Sequence, residues 1–314
     1  MNSATTITTG IDGSPASLDA ADWAAREAGR RRLPLRLLHA GTQHRVSARV
    51  PDVDVPAGCT RSALDRAAIQ LAYAHPALDI VARDTETPAV PALLAAAAES
   101  ETLVLGTRGR TDHSAQAGFL AGSVALAVAA SAACPVVLVR AGELPSDERE
   151  FTPGGTPPST APYRPVVLGL DLERPADNLI GYAFDTAAVR SAPLLVVHAW
   201  TPPPYGDRGP AVPSPDASPS EVSPSDVPSA DDVRDHETGR RRALAGTLRS
   251  WCHEFPDVPV VEEVVHGRPG DQLLRVSTGA GLLVVGRRAG ERLGRAARTA
   301  IRQVTCPVAV VPHD

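Results

Sequence analysis

The amino-acid sequence contains two copies of one pattern. Glycines, polar residues and cysteines recur in the same order in both halves of the 314-residue chain. The matched pairs are Gly10 and Gly169, Asp12 and Asp171, His39 and His198, Gly106 and Gly286, Gly122 and Gly294, and Cys134 and Cys306. This repeat is much longer than the roughly 20–50 residues of a solenoid unit. Each copy is therefore expected to be a whole domain.

The length of the chain suits two domains of about 150 residues each. We expect the first domain over residues 1–140, a linker over 141–162 and the second domain over 163–314. The linker is rich in Pro, Gly, Ser and Thr. A second such segment, Thr201–Ala230, has almost no large apolar side chains and is expected to be flexible, since it cannot offset its ordering entropy. It is either a regulatory or partner-binding loop or a tolerated insertion, and we favour the insertion.

Short apolar segments alternate with helical patterns along both copies. The first copy has predicted strands at 4–12, 33–40, 77–83, 102–106 and 135–140. The second has them at 166–170, 194–199, 258–266, 282–286 and 307–312. Strands that alternate with helices predict an α/β fold in which helices cover both faces of a parallel sheet.

The composition excludes several classes of protein. The net charge of −5 argues against a nucleic-acid partner, and no segment approaches the ~18 apolar residues of a membrane helix. The N-terminus has no signal-peptide pattern, and four dispersed cysteines are typical of reduced thiols in a cytoplasmic protein. Every basic residue is arginine, so any phosphate must be held by arginines, backbone N–H groups and hydroxyls.

Ligands of open α/β sheets bind beyond the carboxyl ends of the strands. In the first copy these ends carry Asp12, His39–Ala40 and Gly106–Gly109. Asp12 is either an acceptor for an adenine amine or ribose hydroxyl, or the first residue of an Asx-turn, and its chemistry leaves both open. His39 and His198 end apolar strands at equivalent positions, and we interpret them as structural.

A glycine-rich loop connects the fourth strand to the next helix. Gly106 and Gly109 allow close approach of the backbone to a phosphate, and Gly122–Ser123 opens a helix whose N-terminus favours an anion. Arg108 lies between them. The alternative is that Gly109 only makes a turn and Ser123 only caps the helix. Because both glycine pairs occur in one loop, we favour a phosphate site.

Other catalytic signatures are absent from the sequence. There is no G-x-G-x-x-G, no P-loop and no G-x-S-x-G motif, and the histidines have no metal-binding spacing. No carboxylate pair stands out from charges that we take to be solvated. We interpret Cys134 and Cys306, which precede the last strands, as small buried residues.

Taken together, these motifs resemble those of the universal stress protein family along the full length of both copies. They are Gly10-x-Asp12-Gly13-Ser14-x-x-Ser17, Leu38-His39-Ala40, Val104–Gly109, Gly122-Ser123-Val124 and Cys134–Arg140. The resemblance implies two tandem, open-twisted, parallel five-stranded sheets of the Rossmann-like, adenine-nucleotide-binding kind. It also implies ATP at G-x2-G-x9-G-[ST]. The matching positions are Asp12, Ala40, Gly106, Gly109, Gly122 and Ser123, with Thr107, Arg108 and Val124 beside them.

Both copies depart from the nucleotide-binding motif of the family. Twelve residues instead of nine separate Gly109 from Gly122. In the second copy Ala289 replaces the second glycine, Arg295 stands where the first copy has Ser123, and the loop is shorter. The second loop is therefore expected to be too short for a triphosphate. Its arginines bind a smaller anion or form a solvated basic edge, and we favour the edge; they are Arg287, Arg288, Arg292 and Arg295.

The resemblance predicts a cytoplasmic stress-response module that binds ATP, with or without Mg²⁺, in its first domain. Slow ATP hydrolysis is compatible with this, but no general base is evident, so we do not expect an enzyme. The alternative is a nucleotide-free member that acts only through protein partners. A different class would be a small-molecule transferase, but this would need a second substrate pocket with a catalytic acid or base, and the sequence shows no candidate. We expect the two copies to pair about a pseudo-two-fold axis through strands 135–140 and 307–312, within one chain or between the chains of a homodimer.

Overall fold

The computed structural model describes residues 6–41, 62–107, 123–150, 161–201 and 230–314. In the first repeat the elements are β1 (Thr6–Gly10), α1 (Pro15–Arg31), β2 (Leu35–Ala40), α2 (Ala63–Ala74), β3 (Ile80–Thr85), α3 (Ala89–Ala97), β4 (Ser100–Thr107), α4 (Ser123–Ala129) and β5 (Val136–Arg140). In the second they are β6 (Val166–Gly169), α5 (Asp177–Arg190), β7 (Leu194–Trp200), α6 (Ala230–Glu254), β8 (Val260–His266), α7 (Pro269–Val276), β9 (Leu282–Arg288), α8 (Arg295–Gln303) and β10 (Val308–His313). The predicted alternation of strands and helices is confirmed.

The third strand of each repeat begins later than its apolar pattern predicts. A turn first closes the preceding helix, with Leu78 N donating to His75 O at 3.0 Å in the first repeat. In the second repeat Val258 N donates to Phe255 O at 3.2 Å. The apolar residues of each turn therefore help to close the helix before the strand starts.

The two five-stranded sheets are joined into one ten-stranded sheet of order β3-β2-β1-β4-β5-β10-β9-β6-β7-β8. All neighbours are parallel except β5 and β10, which pair antiparallel with Val308 opposite Leu138 and Val310 opposite Val136. This pairing satisfies two strand edges that would otherwise present unpaired N–H and C=O groups. The two repeats therefore share one continuous sheet.

One apolar core lies on each face of this sheet, and each core includes residues of both repeats. Along β5, Val137 and Val139 belong to one core, whereas Val136 and Leu138 belong to the other. This alternation follows from the two-residue period of a strand. Both faces are covered by helices, as expected of parallel strands that are apolar on both sides.

The first helices of the two repeats end in the same way. Arg32 and Ser191 follow α1 and α5 in the left-handed backbone region, at φ of 55° and 51°. Leu33 N then donates to Ala28 O at 3.0 Å, and Ala192 N donates to Ala187 O at 2.9 Å. These bonds satisfy carbonyl groups that the last helical turn leaves open.

A buried charge cluster lies between α1 and α5, where the two repeats meet. Glu27, only 3% exposed, accepts hydrogen bonds from Arg190 at 2.8 Å, Arg31 at 2.9 Å and Arg30 at 3.1 Å. Arg190 is 2% exposed and belongs to the second repeat. The interpretation of the charged side chains as solvated is therefore wrong for Glu27 and Arg190, which are buried. A buried carboxylate is costly unless it is paired, and the arginines provide the partners.

The linker contributes to the same cluster. Its residues Pro145–Glu148 form a 3₁₀ turn, and Glu148, 1% exposed, pairs with Arg26 at 3.3 Å and with Arg30. This part of the linker is therefore packed against α1. Residues 151–160 of the linker and nearly all of the predicted flexible segment, 202–229, lie outside the described residues.

The described cysteines are free thiols, and Cys134 and Cys306 are buried as predicted. Burial raises the pKa of Cys134 to about 11, because an apolar environment disfavours the thiolate. Across the described ranges, none of the helices has the length and apolar character needed to cross a membrane.

Candidate functional site

The carboxyl ends of β1, β2 and β4 meet at one edge of the first repeat. β1 is paired with β2 on one side and with β4 on the other. The strand order therefore reverses between β1 and β4, which is where open α/β sheets form their ligand crevices. Asp12 lies at this point, two residues after the end of β1.

Asp12 is exposed and has one carboxylate oxygen engaged. Its Oδ1 accepts a hydrogen bond from Ser14 N at 2.9 Å, which forms the predicted Asx-turn. Burial raises the pKa of Asp12, but hydrogen bonds from Ser14 and Ser17 outweigh it, so its pKa lies below the ordinary value. Asp12 therefore makes the turn and still presents a charged acceptor at the crevice.

His39 and His198 occupy equivalent structural positions. His39 Nδ1 lies 2.7 Å from the carbonyl oxygen of Ile11, and His198 Nδ1 lies 3.0 Å from that of Leu170. Each ring thus ties the end of a second strand to the residue after the first strand. These contacts support the structural interpretation of both histidines.

Gly106 is required by packing within the protein itself. A Cβ at this position would lie 2.3 Å from the carbonyl oxygen of Ala16 and 2.8 Å from Ser17 N, both backbone atoms at the start of α1. The neighbouring Thr107 is buried, and its hydroxyl donates to Val139 O at 3.2 Å. Thr107 therefore uses its hydroxyl within the sheet.

The other predicted site residues are only partly described. Ala40 ends β2 at the same edge of the sheet, and Val124, half-buried, lies in the first turn of α4. Ser123 is the first residue of α4. Arg108, Gly109 and Gly122 lie outside the described residues. The structure thus brings Asp12, Ala40 and Gly106 to neighbouring strand ends, and the phosphate half of the site remains a prediction.

In the second repeat the equivalent edge carries a cavity of about 480 Å³. It lies at the ends of β6, β7 and β9, and its lining includes the buried apolar side chains of Leu179, Leu273 and Val285. Arg174, Arg240 and Arg292 also line it. Arg240 was not predicted as a site residue, because it belongs to α6, far along the chain from the strand ends.

Arg240 is held in place by His198 and Trp200. Its Nη1 lies 3.2 Å from His198 Nε2, and its guanidinium carbon lies 4.9 Å from the centroid of the Trp200 ring. Since arginine only donates, His198 Nε2 is the acceptor and Nδ1 carries the proton donated to Leu170 O. Trp200 stands where the first repeat has Gly41, so this arrangement belongs to the second repeat.

The four arginines predicted at this edge have different environments. Arg287 is 5% exposed, and its Nη2 donates to Ala132 O of the first repeat, so the expectation of a solvated edge is wrong for it. Burial also lowers the pKa of Arg287. Arg288 pairs with Glu291 at 3.2 Å, and Arg292 lines the cavity. Arg295 begins α8 and is not part of the lining.

The described residues contain no cluster of three or more His, Cys, Asp or Glu side chains that could hold a metal ion. The crevice of the first repeat offers a carboxylate, strand-end backbone groups and a helix start. The crevice of the second repeat offers an apolar floor, five arginines and three carboxylates. Both arrangements are suited to binding.

Comparison with known proteins agrees with this architecture. The family model described as universal stress protein family matches residues 4–140 and 162–312. Two universal stress proteins of Mycobacterium tuberculosis are 30% and 28% identical to the chain; each alignment covers 98% of it, and 97% and 96% of the relative. The crystal structure of a universal stress protein from Archaeoglobus fulgidus has a TM-score of 0.60 at 16% identity, over 99% of both chains. The chain therefore belongs to the universal stress protein family, with two copies of the family domain.

Proposed function

We propose that this universal stress protein binds ATP, with or without Mg²⁺, in its first repeat and acts as a stress-response binding module. The observation that carries the proposal is the position of Asp12 at the crevice between β1 and β4. An exposed, charged carboxylate at the point where strand order reverses is suited to accept a hydrogen bond from an adenine amine or a ribose hydroxyl.

The sequence supports a phosphate site on the other side of the same crevice. α4 begins at Ser123, so its first N–H groups and its dipole favour an anion at this end. The chain lacks lysine, which leaves backbone N–H groups, Ser123 and Arg108 as the phosphate ligands. A bound Mg²⁺ would neutralise part of the negative charge of the phosphates.

The proposed role is binding and signalling in the cytoplasm. The free thiols of Cys134, Cys252 and Cys306 agree with a reducing compartment. Because β5 and β10 pair with each other inside the chain, a homodimer would have to use other surfaces. Slow hydrolysis of ATP is compatible with this role, but we do not expect a dedicated catalytic base.

Calorimetric titration with ATP tests the proposal through its stoichiometry. We expect one site per chain. Gly122→Val should weaken ATP binding about tenfold or more, because one or two charge-assisted hydrogen bonds are worth about 1.5–3 kcal/mol each. The matched control is Gly294→Val, since Gly294 is the counterpart in the second repeat and a Cβ there meets no atom within 4 Å. Two equivalent sites, or equal loss in both variants, would contradict the proposal.

Asp12→Asn tests the base and ribose end separately. An asparagine Oδ1 still accepts from Ser14 N, so the turn is preserved while the carboxylate charge is lost. We expect ATP binding to weaken about tenfold with an unchanged melting temperature. Asp171→Asn, at the equivalent position of the second repeat, should leave ATP binding unchanged. Wild-type affinity in Asp12→Asn would exclude Asp12 from the site.

A further inference from the structure

The cavity of the second repeat occupies the same place in its half-sheet as the crevice of the first repeat, but different side chains line it. It lies beside the switch point of its half-sheet, where β6 is paired with β7 on one side and with β9 on the other. Its volume of about 480 Å³ lies within the range of roughly 300–1,000 Å³ that is common for small-molecule sites. The position therefore has the shape of a binding site even though the glycine loop is shorter.

Among the described residues, two groups at this cavity lack the partners that their chemistry calls for. Arg240 is oriented by a neutral imidazole and an aromatic ring, and no carboxylate of the described residues pairs with it. The indole Nε1 of Trp200 is buried and has no hydrogen-bond acceptor within the described ranges. A fixed guanidinium and a buried donor at one cavity both call for an acceptor that the described residues do not supply.

The rest of the lining defines the kind of acceptor. Arg174 and Arg292 add positive charge, which the lining carboxylates Asp171, Glu173 and Glu291 offset only in part. Gly294 is the N-cap of α8, and no side chain caps the first N–H groups of this helix. The lining holds five arginines against three carboxylates. This excess of positive charge beside a helix N-terminus favours a dianion over a single carboxylate. Leu179, Leu273 and Val285 form an apolar floor that suits an organic body.

We propose that the second repeat binds a small organic phosphomonoester in this cavity, with its phosphate at Arg240 and its apolar part on the floor. This site is separate from the ATP site proposed in the first repeat. The short loop between β9 and α8 provides fewer backbone amides than the long loop of the first repeat, which favours one phosphate group over three.

Calorimetry with phenyl phosphate tests this proposal, with inorganic phosphate and phenol as partial probes. We expect one site per chain and at least tenfold weaker binding of either partial probe. A change in tryptophan fluorescence on adding phenyl phosphate shows whether the ligand binds at this cavity. The chain has only three tryptophans, and Trp200 lines the cavity whereas Trp23 and Trp251 do not. Trp200→Phe should abolish the ligand-dependent signal.

Arg240→Gln should weaken phenyl phosphate binding about tenfold or more, whereas Arg249→Gln, an exposed arginine on the same helix, should not change it. Gly122→Val should leave phenyl phosphate binding intact, so failure of the ATP site and failure of this site are distinguishable. The proposal is overturned if phenyl phosphate shows no saturable binding at millimolar concentration. Equal loss in Arg240→Gln and Arg249→Gln, or stoichiometric displacement by ATP, would also overturn it.

Discussion

Replacing Glu27 by glutamine perturbs the buried charge cluster with little change of volume. Glu27 Oε2 accepts from Arg190 at 2.8 Å and from Arg30 at 3.1 Å, and Oε1 accepts from Arg31 at 2.9 Å. A glutamine carries no charge and offers only one oxygen. The substitution Glu27→Gln therefore leaves three clustered arginines without their shared carboxylate.

The size of the effect follows from the pKa of Glu27. Burial would raise this pKa, but the charges of Arg190, Arg31 and Arg30 outweigh burial and hold it at about 2, below the ordinary value of 4.5. Each pKa unit corresponds to about 1.4 kcal/mol, so the ionised carboxylate contributes roughly 3 kcal/mol. Removing one partner of a buried ion pair costs about 3–5 kcal/mol in other proteins. We expect the free energy of unfolding to fall by about 3–5 kcal/mol.

The pH dependence gives a second measurement of the same quantity. Because the pKa is lower in the folded state than in the unfolded state, the stabilisation is complete above about pH 4.5 and disappears as the pH falls through about 2. The stability difference between wild type and Glu27→Gln should therefore be constant from about pH 6 to 8. It should shrink progressively below about pH 4.5.

Urea unfolding at neutral and acidic pH measures both effects. Glu99→Gln is the matched control, since Glu99 pairs with Arg36 at 3.0 Å but its side chain is 70% exposed. Such a surface pair contributes about 0–1 kcal/mol. The reasoning is refuted if the two variants lose equal stability at neutral pH. It is also refuted if the deficit of Glu27→Gln is as large near pH 3 as at pH 7.

Three further outcomes test the packing of the fold. Gly106→Ala should lower the free energy of unfolding in urea by about 1–3 kcal/mol, because the new Cβ would lie 2.3 Å from the backbone oxygen of Ala16. The control Gly239→Ala, in open space within α6, should be neutral or slightly stabilising. Val137→Pro removes a donor of a central strand, so a marked fall in melting temperature is expected, and an unchanged one would contradict the observed pairing. Limited proteolysis should cut first within Thr201–Ala230 and spare Pro145–Glu148, where Glu148 is buried; early cleavage at that turn would show otherwise.

Much of the fold was predictable because it depends on local patterns. The repeated glycines and the alternation of apolar strands with helices report backbone geometry within a few residues, and that geometry is the same in both copies. Asp12 could be placed at the crevice for the same reason, since parallel strands bring their carboxyl ends to one edge. The buried state of Cys134 and Cys306 followed equally from their apolar neighbours along the chain.

The tertiary structure alone decided which distant side chains meet. No periodicity relates Glu27 to Arg190, which lie 163 positions apart and become partners only because the two repeats pack together. Gly106 resembled a phosphate-loop glycine, yet the backbone of α1 already excludes a side chain there. Arg240 reaches His198 and Trp200 only after α6 has folded over the sheet. Such contacts depend on the packing of whole elements, and sequence periodicity describes each element separately.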